Sequence, residues 1–85
     1  MPRTPKEKAV ALKYDGSLPA PVIIAQGTGR TANRMEQLAA ESSVPVVRNE
    51  LLVDGLELLS VGDLVPPQYW ELMARVLLYI RNVRT

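Results

Sequence analysis

Residues 22–35 read VIIAQGTGRTANRM, and the fold turns on how they are divided. A run of β-formers, Val22 to Gln26, meets Gly27, and a helical pattern begins past Gly29. The run is apolar on both sides, which predicts a central strand. Ala32, Met35, Leu38 and Ala39 fall at i, i+3, i+6 and i+7, which predicts a helix over about 29–42 with Thr28 as its cap. Gly27, Gly29 and Ala32 also fit G-x-G-x-x-A, the spelling of a dinucleotide-binding turn.

Working outward, AVALKY at 9–14 predicts a strand, and DGSLPAP at 15–21 a loop with Gly16, Pro19 and Pro21. The short loop makes strands one and two antiparallel neighbours. VPVV at 44–47 predicts a third strand, parallel to the second, with Pro45 at its start or on an edge. Asn49 caps a short helix through Leu51, Leu52 and Leu56, which Gly55 weakens by about 1 kcal/mol relative to Ala. LLSVGDLVPP at 58–67 turns at Gly62-Asp63 and leaves room for a short fourth strand. Pro67 then opens a helix over about 67–82 with the stripe Tyr69, Leu72, Met73, Val76, Leu77, Ile80, widened by Trp70, Leu78 and Tyr79. The order is β-β-α-β-α-(β)-α, an α/β (α+β) domain. A small mixed sheet of three to four strands carries helices packed on it.

The composition narrows the function. The chain has 85 residues, 47% apolar and 22% charged, with a formal net charge of +1. That length makes one domain, which buries roughly 60–65% of its unfolded surface. Residues 1–8, with two prolines and four charges, are expected to be flexible, and 9–83 to form the single domain. There is no cysteine and no histidine, so a thiolate, a CxxC metal site and the usual neutral-pH base are all excluded. The serines Ser17, Ser42, Ser43 and Ser60 have no histidine to activate them. Glu50, Asp54 and Glu57 can share one side of the short helix, as a solvated face. No metal or cofactor is expected, and no stretch approaches the ~18 apolar residues of a membrane span.

The dinucleotide spelling lacks its setting. Only one βαβ unit is predicted, and the position about 20 residues on, where an acidic ribose ligand belongs, falls at Val47 and Arg48. The basic ends, RTPKEK and RNVR, read as solvated termini at this net charge. A small nucleotide- or nucleic-acid-binding α/β module, using Gly27 and Gly29 or Arg30 and Arg34, stands as the alternative reading.

Taken together, AVALKYD, APVIIAQG, VPVV followed by Asn49, and VGDLVPPQYWELMARVL resemble the cytoplasmic domain of the FlhB/YscU family, the export switch proteins of bacterial flagella and type III secretion. The resemblance runs from about residue 4 to about 82. It implies a non-enzymatic domain that binds export substrates or export-gate proteins, full-length switch protein among them. The domain would act in the cytoplasm, recruited to the membrane export gate, without inserting in the membrane or binding nucleic acid. In the family, Asn-Pro-Thr-His precedes the first strand, and the asparagine side chain cyclises to break the chain before the proline. Here the matching residues are Thr4, Pro5, Lys6 and Glu7. Threonine has no amide to close the ring, so self-cleavage is expected to be lost, which makes the chain an analogue of the family's C-terminal fragment. The family usually carries Pro-Leu-Ala-Arg after the asparagine; this chain has Leu51, Leu52, Val53 and Asp54, a charge reversal. The resemblance also implies a substrate-binding patch of Ala20, Pro21, Ala74 and Leu77: three small or ring-closed side chains over an apolar floor.

Overall fold

A computed structural model describes residues 7–84, with side chains as far as Leu78. Strand β1 (Lys8–Lys13) pairs antiparallel with β2 (Val22–Thr28), as the short loop between them requires. Helix α1 spans Arg30–Glu41 and α2 Glu50–Leu56; a 3-10 turn, Pro67–Tyr69, leads into α3, Trp70–Arg84. Of the leader expected to be flexible, residues 1–6 lie outside the described residues, and Lys8 already opens β1.

The two sides of the β1–β2 pair do different work. Ala9 faces Gly27 and Ala11 faces Ala25 across the ladder. These small residues make a low floor, and α1 lies on it closely. A Cβ on Gly27 would sit 2.5 Å from Thr31 Cγ2 and 2.9 Å from Met35 Sδ. Alternation sends Val10, Leu12 and Gln26 the other way. There Val10 and Leu12 pack on the core formed by Leu52 and Leu56 of α2, Val65, and Met73 of α3. Leu59, Tyr69, Leu72 and Val76 complete it. The stripe predicted for the last helix is thus split: Tyr69, Leu72, Met73 and Val76 face the core, whereas Trp70, Leu77 and Leu78 are 47%, 43% and 58% exposed.

Gln26 ties β2 to α2. Its Nε2 donates to the carbonyls of Leu56, at 3.2 Å, and Leu59, at 2.6 Å. Those carbonyls lie at the end of α2 and in the turn beyond it; the Leu56 carbonyl also accepts the Leu59 N–H at 3.1 Å, whereas that of Leu59 takes its hydrogen bond from Gln26. At the other end Asn49 caps the helix as predicted, its Oδ1 accepting from the Leu52 N–H at 3.0 Å.

Three expectations need correction. The strand at 44–47 does not form: no ladder partner is present among the described residues, and Val44 and Val46 are 54% and 50% exposed. The reason is that Val44 spends its N–H on the Ala39 carbonyl at 2.8 Å, closing α1 through Ser43 in the left-handed region (φ 59°), and Pro45 has no N–H to give. The far edge of β2, where a parallel strand would add, is taken instead by residues 62–65. The Gly62 N–H donates to the Ile23 carbonyl, the Ile23 N–H to Asp63, and the Val65 N–H to Pro21. The fourth strand is therefore a single antiparallel bridge, Val22 to Leu64, and the sheet has two strands rather than three or four. Lastly, Thr28 does not cap α1. It ends β2, and Gly29 is the cap residue with no side chain to offer.

Gly55 sits in α2 for a reason of space. A Cβ there would come within 2.7 Å of the Tyr69 Cζ and hydroxyl, because the tyrosine ring lies across the helix. Helix propensity alone would make Gly55→Ala stabilising by about 1 kcal/mol; the clash reverses the sign, and a lowered denaturation midpoint is expected, with Gly16→Ala, in open space, as the near-neutral control. Gln26→Leu keeps the volume but strips the Leu59 carbonyl of its donor and the Leu56 carbonyl of one of two, and is expected to cost about 1–3 kcal/mol in urea unfolding.

Candidate functional site

Pro21 and α3 are joined through one residue. Val65, 1% exposed, donates its N–H to the Pro21 carbonyl at 2.8 Å, and its own carbonyl accepts from Trp70 Nε1 at 3.0 Å. Trp70 is the first residue of α3, and Ala74 and Leu77 follow it at i+4 and i+7 on one side of the helix. Ala20, 4% exposed, and Pro21 are buried at the entry to β2; Ala74 is exposed and Leu77 is 43% exposed. The four candidate residues therefore divide into a buried pair at the entry to β2 and an exposed pair on α3. Trp70 belongs with the exposed pair, and its indole is held in place by the Val65 carbonyl. Sequence reasoning counted it only as a widening of the helix stripe. The signal that could have singled it out is its position just after Pro66-Pro67, where a ring N–H can reach back past the turn.

The glycine spelling of the opening stretch is structural. The space above Gly27 is filled by Thr31 and Met35 of its own helix, so no phosphate can approach the backbone there. Gly29 adopts φ 58°, ψ −124°, a conformation that side-chain-bearing residues avoid, and its N–H donates to the Glu7 carbonyl at 2.7 Å. That bond lengthens the β1–β2 ladder and turns the chain into α1. The β2–α1 unit leads to no parallel strand among the described residues, so the crevice of a dinucleotide fold is not built.

Of the degenerate motif, Thr4, Pro5 and Lys6 lie outside the described residues; Glu7 is exposed and enters the ladder through its carbonyl. Lys8 beside it is held by α2. Its Nζ lies 3.2 Å from Asp54 Oδ1 and 3.2 Å from Glu57 Oε2. The Glu57 and Asp54 carboxylates raise its pKa above the ordinary lysine value. Among the described residues no group of three or more carboxylates is arranged to hold a metal, and no helix is long and apolar enough to cross a membrane.

Comparison with known proteins places these features. A family model described as the FlhB HrpN YscU SpaS Family matches residues 3–80. The flagellar biosynthetic protein FlhB of Borreliella burgdorferi is 31% identical over 81 residues, which cover 93% of this chain but 22% of that protein. Bacillus subtilis YlqH is 35% identical over 79 residues, covering 92% of this chain and 85% of YlqH. The chain thus spans about a fifth of the FlhB protein and most of YlqH. The crystal structure of the PscU C-terminal domain superposes with a TM-score of 0.83 at 26% identity, over 89% of this chain and 99% of that one. Sequence and fold agree over the same residues, and the chain belongs to the FlhB HrpN YscU SpaS family.

Proposed function

We propose that this chain is a non-enzymatic component of flagellar or type III protein export, a soluble analogue of the family's C-terminal domain that does not cleave itself. It binds apolar segments of export substrates, or proteins of the export gate, on the α3 side that carries Ala74 and Leu77. It works in the cytoplasm and is recruited to the membrane at the gate. The observation that supports the reading is the exposure of that side. Met73 and Val76 serve the core, while Trp70, Ala74 and Leu77 are left outside it, and Trp70 is linked through Val65 to the buried Pro21. Small Ala74 between two larger apolar side chains makes a shallow trough of the kind that takes an apolar segment.

The test is Ala74→Glu, read in two assays. Because Ala74 is exposed, the free domain should melt as wild type, within about 0.5 kcal/mol. In the complex the new carboxylate would be desolvated against apolar atoms, so titration with the N-terminal segment of a flagellar rod or hook protein should show binding weakened well beyond that. A variant that binds such a segment as wild type does removes the site. A wild type that binds none of them removes the function.

The non-cleaving half of the proposal rests on Thr4, which has no side-chain amide to attack its own carbonyl. Mass spectrometry of the purified chain held for days at neutral pH should show one intact mass. A fragment beginning at Pro5, in the absence of protease, would refute it.

A further inference from the structure

The two most exposed large apolar side chains among the described residues are Leu51, at 76%, and Leu58, at 82%. They stand seven positions apart, about two helical turns, so they share one side of α2 and of the turn that prolongs it. The winding does continue to Leu58: Glu57 keeps helical backbone, and the Leu58 N–H donates to the Gly55 carbonyl at 3.3 Å. The opposite side of the same helix, Leu52 and Leu56, already fills the core. Leu51 and Leu58 are thus surplus to folding. Beside them on one flank stand Glu50, Asp54 and Glu57, and Lys8 is the cation paired with Asp54 and Glu57. Arg48, just before the helix, turns to Glu36 at 3.4 Å instead. On the other flank the Tyr69 ring covers Gly55.

We propose that this side of α2 is a docking surface for a basic amphipathic segment of a partner protein. The partner's apolar side chains would cover Leu51, Leu58 and the Tyr69 ring, with Lys or Arg set against Glu50 and Asp54. Charge selects the occupant. Three carboxylates against the single Lys8 ammonium repel an anionic bilayer, and a second copy docked symmetrically through the same face would set carboxylates against carboxylates. This surface is separate from the α3 site and does not depend on it.

The experiment uses the full chain and a synthetic helix of leucine and lysine, with the same helix carrying glutamate for every lysine as its counterpart. Amide NMR should show the lysine peptide shifting residues 50–58, with affinity falling as salt rises, and the glutamate peptide shifting none. Leu51→Ser with Leu58→Ser should weaken the lysine peptide by about tenfold and leave the melting temperature unchanged. Glu50→Gln should flatten the salt dependence. The proposal is overturned if the shifts fall elsewhere, if both peptides bind alike, or if the double serine variant binds as wild type. It is equally overturned if that variant melts several degrees lower, which would make the leucines part of the folding core. Shifts at 50–58 that follow protein concentration would assign the face to a second copy, and shifts with anionic vesicles would assign it to a membrane; either result also overturns it.

Discussion

The side-chain amide of Gln26 is the joint on which the arrangement depends. A two-stranded antiparallel pair is marginal on its own and needs packing against helices. The helix it receives, α2, has seven residues, too few to be stable in isolation. Each is completed by the other. Gln26 donates to the last carbonyl of α2 and to that of Leu59 in the turn beyond, and α2 supplies Leu52 and Leu56 to cover Val10 and Leu12. Because Gln26 projects from the middle of β2, the same bonds fix how far along the strand the helix sits. A leucine there would fit the apolar run as written but would leave the Leu59 carbonyl without a partner in a half-buried place.

Opposite that joint, the strand pair is built from residues chosen for small size. Ala9, Ala11, Ala25 and Gly27 hold nothing apart, so α1 packs against backbone and Thr31 can approach Gly27. The turn into α1 has to be tight for this to happen, which is the task of Gly29 at positive φ. One glycine therefore serves close approach and the next serves the turn. Both roles also occur in dinucleotide turns, which is why the spelling coincides. The difference lies in what fills the space: here the chain's own helix occupies it.

Much of this was legible in the sequence because it rests on local rules. The antiparallel pair follows from a short loop between two β-forming runs, the Asn49 cap from residue type and position, and the helix order from periodicity. The missing third strand was not legible, because the valines of VPVV mark a strand and Pro45 is allowed at its start or on an edge. What prevents it is competition: Val44 is needed to end α1, and residues 62–65 reach the edge of β2 first. The role of Gln26 was likewise hidden. It is the lone amide in an apolar run, but its partners lie thirty or more residues further on. At the candidate site, periodicity placed Ala74 and Leu77 on an apolar helix without saying that the helix has two apolar sides. The division appears only once Tyr69, Leu72, Met73 and Val76 are seen to fill the core alone.

That division bears on what so small a domain can do. A chain of 85 residues has a limited core, and the helices α2 and α3 each complete it with one side. Each then carries a second apolar side that the core cannot absorb: Leu51 and Leu58 on α2, Trp70, Ala74 and Leu77 on α3. Two surplus faces on two helices of a single small core carry a cost in solubility, which Lys8, Glu50, Asp54 and Glu57 offset near α2 and Glu71 and Arg75 near α3. These are the two faces proposed above as partner surfaces: apolar side chains outside the core, each set bordered by charge. On the reading proposed above, a partner is selected by which of the two apolar faces it covers and by the charges that border that face.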